Sequence, residues 1–329
     1  MERFYFSSQE SPSCISHMTR PALGIDFGGT SIKFGVVVGE TIIASPAPIP
    51  TQDYSTRESL IDAICTVIRS VREEYPDLMA VGVGVPGFVH FGRGEVANLT
   101  NVTGWQNVPL KAILQERTQL PVVVDNDANA MAYAEWKLGA GRGITDLVCL
   151  TLGTGVGGGI IANNQMIRGG QGAAGELGQT SIDYRGRVGA YGNPGALEDY
   201  IGNREIIQEA IRFYKHQGVT KTAAELTPAD LSELATYQDA IALEVWEWVA
   251  EKLACTLMNC CYLLNPDAFI IGGGVAKAGD LIYTPLQRYL EKWMMGPHLD
   301  HLQLLPAHFG NEAGIIGCAA LALDTATAE

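Results

Sequence analysis

Four short stretches of the sequence carry residue types that could do chemistry. Asp26-Phe27-Gly28-Gly29-Thr30 joins two apolar runs of strand character. Glycines at such a turn let backbone N–H groups approach a phosphate with no Cβ in the way, the Thr30 hydroxyl adds a donor, and an acid at the strand end can hold a hydrated Mg²⁺. An ordinary hairpin turn would use the same residues. Asp125-Asn126-Asp127-Ala128-Asn129 follows the apolar run from Pro121 to Val124 and opens a helical stretch, which puts a carboxylate at the C-terminal end of a buried strand, where it can take a proton. Helix capping is the plainer use of Asp and Asn here. Both uses are compatible if one residue caps and its neighbour reacts.

Gly153-Thr154-Gly155-Val156-Gly157-Gly158 fits G-x-G-x-x-G, and Glu176 lies near the distance of a ribose-binding acid. A dinucleotide site needs these glycines to open a helix, whereas Gly159-Ile160-Ile161-Ala162 runs on as strand into an Asn163-Asn164 turn. A phosphate-binding hairpin fits better than a nicotinamide site. The last stretch is split: Gly175-Glu176-Leu177-Gly178-Gln179 and Gly195-Ala196-Leu197-Glu198 set carboxylates and an amide among glycines. These groups can bond hydroxyls or simply face solvent.

The elements that must position these residues repeat. LGIDFGGTSIKFGVVVGETIIAS predicts a strand, a glycine turn, a second strand and a third; LVCLTLGTGVGGGIIANNQMIRG predicts the same order 125 residues later, counted from Gly28 to Gly153. Two matching hairpins suggest a duplicated α/β domain with a cleft between the copies. Leu60, Ile61, Ile64, Val67, Ile68 and Val71 have helical spacing. Thr227-Pro228-Ala229-Asp230 reads as a capped helix start, and a helix from about Ala240 to Leu264 must stop before Pro266. The strand of DAFIIGGGVAKAGD leads into three glycines, and EAGIIGCAALALDTA suits a close-packed terminal helix.

The chain has 329 residues, with 22 Lys and Arg against 36 Asp and Glu, a net charge of −14. That balance argues against nucleic-acid or anionic-membrane surfaces. With 47% hydrophobic and 18% charged residues the chain can fill real cores, and its length suits two domains. No apolar run reaches the ~18 residues of a membrane span, and the N-terminus lacks a signal-peptide core, so a cytoplasmic protein is expected. Seven cysteines without a C-x-x-C pair read as reduced core thiols, and His298 with His301 as a surface pair rather than a zinc site.

Over residues 22 to 325 the chain resembles the ROK family of sugar kinases and sugar-responsive repressors, which have the actin-like, hexokinase-like ATPase fold. The resemblance rests on Asp26 to Thr30 with Lys33, Gly84 to Gly87, Asn101-Val102-Thr103-Gly104-Trp105, Asn126 to Asn129, Gly153 to Gly159, Gly175 to Gly178, Leu197-Glu198, Gly272 to Gly274 and Ala313-Gly314. It implies ATP-dependent phosphorylation of a hexose, with glucose the expected sugar and Asp127 as the general base. Asn101, Asn126, Glu176, Gln179 and Glu198 would hold the sugar. Gly28, Gly29, Thr30, Lys33, Gly153, Thr154 and Gly155 would hold the ATP phosphates, with Mg²⁺ reached through water from Asp26, and Gly272, Gly273 and Gly274 would face the adenosine.

The chain departs from the family at its zinc motif. Gln179 stands for the usual His, and Gly189, Tyr191 and Ala196 stand for three cysteines. No structural zinc is expected; Tyr191 and the turn of residues 192 to 195 should pack the loop instead. The polar, unpatterned residues 1–21 are expected to form a mobile tail; the resemblance further implies a homodimer, and the rest of the chain is expected to divide into a small domain (22–125 with 312–326) and a large domain (126–311). N-acetylmannosamine, fructose or allose as acceptor, and polyphosphate as donor, remain alternatives. A noncatalytic sugar-responsive regulator of this family would carry an N-terminal DNA-binding domain, for which the segment before Ala22 is short.

Overall fold

A computed structural model describes residues 19–99 and 104–328. The expected tail before Thr19 and the candidate Asn101 lie outside the described residues. The chain forms two compact units, one running to Ala130 and resuming at Gly314, the other Met131–Ala313.

In the first unit, strands β1 (Ala22–Phe27), β2 (Ser31–Val38), β3 (Thr41–Ala44), β4 (Ile49–Pro50), β5 (Val81–Val85) and β9 (Val122–Asn126) form one sheet. Its order is β3-β2-β1-β5-β9, with β4 pairing on β2. β1 and β2 are antiparallel, placing Asp26 opposite Lys33, and β5 and β9 continue parallel to β1. All five residues of β5, Val-Gly-Val-Gly-Val, are buried, as a parallel inner strand requires. Helix α1 (Arg57–Glu74) starts at a Thr56 cap that accepts from the Ser59 amide and buries Leu60, Ile61, Ile64, Cys65, Ile68 and Val71. Val67, expected on that face, is only partly buried; Cys65 completes the apolar stripe. A second sheet of β6 (Val89–His90), β7 (Glu95–Asn98) and β8 (Gln106–Val108) and a helix α2 (Leu110–Thr118) complete this unit's outer parts.

The second unit repeats the topology. Strands β10 (Leu147–Leu152), β11 (Val156–Ala162), β12 (Gln165–Met166), β13 (Ala268–Gly272) and β14 (Gln303–Pro306) lie in the order β12-β11-β10-β13-β14, with the first three antiparallel and the last two parallel to β10. The duplication read from the glycine turns is thus a duplication of strand order and direction. Helices α3 (Asp127–Lys137), α4 (Glu198–Ile201), α5 (Asn203–His216), α6 (Pro228–Thr236), α7 (Ala240–Leu264) and α8 (Asp280–Trp293) follow in chain order, α3 beginning in the first unit. α6 has the full capping box, with Thr227 accepting from the Asp230 amide and Asp230 accepting in return. α7 ends at Asn265, whose φ of 49° is left-handed, just before Pro266. Its buried face, including Trp246, Leu253 and Leu257, forms the centre of the unit's core.

The terminal helix α9 (Ala313–Ala328) lies directly on the first sheet. Gly24 and Gly82 are register partners on β1 and β5, and a Cβ on either would stand within 2 Å of a carbonyl oxygen, of Ile315 and Cys318 respectively. Small residues on both surfaces permit this approach, and the backbone beside Asp26 is fixed by it. No described helix is long and apolar enough to cross a membrane. The six described cysteines are free, five of them buried and Cys255 half-buried.

Candidate functional site

The Asp26 turn is built by the β1–β2 hairpin. The Gly28 amide donates to the Asp26 carbonyl, and Thr51 holds the turn from behind, its hydroxyl donating to the Gly29 carbonyl at 2.9 Å and its amide to the Thr30 carbonyl at 3.0 Å. Thr51 is buried and was not singled out from the sequence, since nothing local links it to a turn 21 residues away. Burial pushes the Asp26 carboxyl above the usual range, and Lys33 across the hairpin opposes this only in part. Gly314, in the first turn of α9, sits beside it with just enough room: a Cβ there would lie 3.3 Å from the Asp26 carboxyl carbon.

The acidic block at the end of β9 separates into distinct roles. Asp125 is buried and accepts from the Asn126 amide at 2.8 Å and from Asn129 Nδ2 at 3.2 Å. Asn126 is the cap: its Oδ1 accepts from the Asn129 amide at 3.1 Å, while its Nδ2 donates to the Gly87 carbonyl at 3.1 Å. The capping reading therefore holds for Asn126. Asp127 is the first residue of α3, half-buried, with Oδ1 accepting from the Ala128 amide at 2.9 Å. It is close to the buried Cys318 thiol, which is driven up by burial first and by the charges of Asp26, Asp125 and Asp127 next. Gly84 makes space for this grouping, since a Cβ would lie 2.9 Å from Cys318 Sγ and 3.4 Å from the Asp127 Cα.

In the second unit the second glycine hairpin and the polar loop residues form one hydrogen-bonded group. Glu198, first residue of α4, accepts from the Val156 amide at 2.8 Å through Oε2 and from Gln179 Nε2 at 3.3 Å through Oε1. Glycine at 155 leaves room for this carboxylate: a Cβ would stand 2.4 Å from Glu198 Oε2, the end of the side chain, and would displace it. Glu176 precedes the single turn Leu177–Gln179 that carries Gln179, and its carboxyl is raised by desolvation and then by the charge of Glu198. Glu176, Gln179 and Glu198, separate in sequence, thus share one patch beside the hairpin. The hairpin tip is held by the Asn203 amide, which donates to the Gly153 carbonyl at 2.9 Å. Gly153 itself faces open space.

The glycines after β13 differ from one another. Gly273 has a φ of 89° and packs so tightly on β10 that a Cβ would lie 2.2 Å from the Leu152 carbonyl oxygen, whereas Gly274 is open. Beyond them is a cavity of about 560 Å³ lined by α6, α7 and the start of α8, including Thr236, Trp246, Lys277 and Leu281. Sequence reasoning did not find it, because its walls come from three separated segments. The expected packing role of Tyr191 is corrected: the ring is 68% exposed. The inward residue of that loop is Asn193, whose Nδ2 donates to the Gln179 carbonyl at 2.8 Å. Among the described residues no group of three or more His, Cys, Asp or Glu is placed to hold a metal ion.

Duplicated sheets, each with a glycine hairpin after its first strand, are the hexokinase-like ATPase fold, and the relatives that follow make the chain a sugar kinase. The ROK family profile matches residues 22–325, and the chain belongs to that family. It is 34% identical over 310 residues to the glucokinase of Streptomyces coelicolor, covering 91% of this chain and 96% of that protein. It is 36% identical over 306 residues to the glucokinase of Halalkalibacterium halodurans, covering 90% and 92%. The crystal structure of a ROK glucokinase from Streptomyces griseus in complex with glucose and AMPPNP superposes with a TM-score of 0.76 at 34% identity, covering 92% of this chain and 99% of that one.

Proposed function

We propose that the protein is an ATP-dependent glucokinase, transferring the γ-phosphoryl group to the 6-hydroxyl of glucose. The observation that carries this reading is Glu198, which is bonded at once to Gln179 and to the glycine hairpin amide of Val156, so that hydroxyl-binding and phosphate-binding groups form one structure. Similarity to curated glucokinases over nine-tenths of the chain supports it.

In this reading Asp127 accepts the proton of the attacking hydroxyl as the new P–O bond forms. Its place at the start of α3 leaves it half-buried, while Asn126 and Asp125 absorb the capping and structural bonds. Asn101, Asn126, Glu176, Gln179 and Glu198 orient the remaining hydroxyls. The glycine turns at Gly28, Gly29, Gly153 and Gly155, with Thr30, Thr154 and Lys33, lie against the phosphates and stabilise the negative charge spread over the transferring group; the Gly28 and Gly153 amides close the turns themselves, donating to the Asp26 and Gly155 carbonyls. The Mg²⁺ that accompanies ATP fits the Asp26 carboxyl, whose charge is disfavoured by burial and only partly offset by Lys33. The adenosine lies toward Gly272, Gly273 and Gly274 and the cavity beyond them. The protein works as a cytoplasmic homodimer, and the Gly189-to-Ala196 loop is held without zinc.

A coupled ADP-release assay over a panel of hexoses and N-acetylhexosamines, with ATP or polyphosphate as donor, tests this. Preferred turnover of glucose with ATP is expected. A marked preference for another sugar or donor would reassign the substrate, and no turnover with any of them would overturn the kinase reading.

A further inference from the structure

The hexose patch depends on a turn closed locally by the Gln179 amide on the Glu176 carbonyl at 3.1 Å and the Thr180 amide on the Leu177 carbonyl at 3.1 Å, bonds that leave the Gln179 carbonyl to be fixed from elsewhere. Gln179 ends the turn Leu177–Gln179, and the chain then leaves on an excursion that returns at Ala196 and Leu197. The base of this loop is closed by backbone bonds, Ile182 amide to Gly195 carbonyl at 2.8 Å and Leu197 amide to Thr180 carbonyl at 3.1 Å. Inside it the Gly195 amide donates to the Arg187 carbonyl at 2.7 Å, and Asn193 Nδ2 reaches across to the Gln179 carbonyl at 2.8 Å.

The turn that presents Asn193 is specialised for that purpose. Gly192 and Gly195 have φ of 83° and 70°, and a Cβ on Gly195 would stand 2.0 Å from the Asp183 carbonyl oxygen. The neighbouring Val188 and Tyr191 are turned outward. Asn193 Oδ1 is buried with no hydrogen-bond partner among the described residues, a cost an apolar residue of similar size would avoid. A residue needed only to fill the loop would not carry that cost. One needed for its N–H donor would.

We propose that Asn193 is a positioning residue for sugar binding. By fixing the Gln179 carbonyl it sets the turn that carries both Glu176 and Gln179, and through Gln179 Nε2 it sets one oxygen of Glu198. The other oxygen of Glu198 is held independently by Val156, so the phosphate hairpin does not depend on Asn193. The inference rests on the assignment of Glu176, Gln179 and Glu198 to the sugar.

Steady-state kinetics of the full chain and of Asn193→Ala and Asn193→Asp test it. If the unaltered protein phosphorylates no hexose, the functional reading fails. If it does, Asn193→Ala is expected to raise the glucose KM about tenfold, the upper end for loss of one hydrogen bond, with kcat and the ATP KM within about twofold. Asn193→Asp keeps the volume but cannot donate when ionised, so it should raise the glucose KM at least as much at pH 8. Calorimetric glucose affinity, taken relative to the parent at the same pH, should partly recover near pH 4, where protonation restores a donor. The aspartate variant carries the test if the alanine variant does not fold. An Asn193→Asp enzyme with unaltered glucose KM, or parallel rises in both substrate KM values, would overturn the proposal.

Discussion

The Glu198 carboxylate accepts the Val156 amide at 2.8 Å, joining the start of α4 to the strand that follows the second glycine hairpin. The residue that the family resemblance gives to the sugar is therefore also a strut of the hairpin expected to face phosphate. Glu198→Ala removes both that bond and the one from Gln179, so kcat/KM should fall about 100-fold, with the KM for glucose and for ATP both raised. Initial-rate kinetics with each substrate varied would show it, and an effect on glucose alone would refute the strut.

Two glycines of that hairpin should respond differently to the same change. Gly155→Ala would place a methyl group 2.4 Å from Glu198 Oε2 and should reproduce the loss expected of Glu198→Ala together with a lower melting temperature. Gly153 has open space around it, so Gly153→Ala should melt within a degree or two of the parent. The same methyl group would occupy space proposed for a phosphate, and the ATP KM should rise roughly tenfold. Thermal melts beside ATP titrations separate the two.

Asp127→Ala should lower kcat by ~100 to 10,000-fold if the carboxylate is the general base. The helix start should survive, because Asn126 supplies the cap. A folded variant with near-normal turnover would remove Asp127 from the mechanism.

Asp26 and Glu176 give the protein a pH-dependent stability of definite sign. Burial raises Asp26, opposed by Lys33; desolvation raises Glu176, reinforced by Glu198. A carboxyl whose folded pKa exceeds its unfolded value binds protons more tightly when folded. Its contribution to stability is complete below the unfolded value, about pH 4, and is lost as pH rises through the folded one. Between acid and neutral pH, Asp26→Asn and Glu176→Gln should each lose less stability than the parent, while impairing activity. Melting curves at a series of pH values measure this, and a steeper loss in the variants would contradict it.

The loop from Gly189 to Ala196 should hold no metal. Elemental analysis of purified protein is expected to show substoichiometric zinc, and a chelator should leave its melting temperature unchanged. Stoichiometric zinc would return the loop to the family pattern.

Much of the architecture was legible because its signals are local. Helical spacing from Leu60 to Val71, the Thr227–Asp230 cap and the stop at Asn265-Pro266 each lie within a few residues, and each helix forms there. Likewise, Gly153 to Gly158 could be recognised as a hairpin and not a helix opening from the strand residues that follow. The small sheet of β6, β7 and β8 gave no such signal, its strands being two to four residues long.

The sequence by itself determined which residue types were available for chemistry, the duplicated order of strands, and the family to which the chain belongs. Only the tertiary structure decided how the acids divide their work. Asp125, Asn126 and Asp127 are equivalent as letters, yet one is buried in hydrogen bonds, one caps a helix and one is half-buried at the helix start. Of Tyr191 and the turn of residues 192 to 195, both expected to pack the loop, Tyr191 is exposed and the turn reaches inward through Asn193, flanked by glycines of positive φ. The reason is physical: propensity and spacing act over a turn or two of chain. Bonds such as Glu198 to Val156, Thr51 to Gly29 and Asn193 to Gln179 exist only once distant segments have packed.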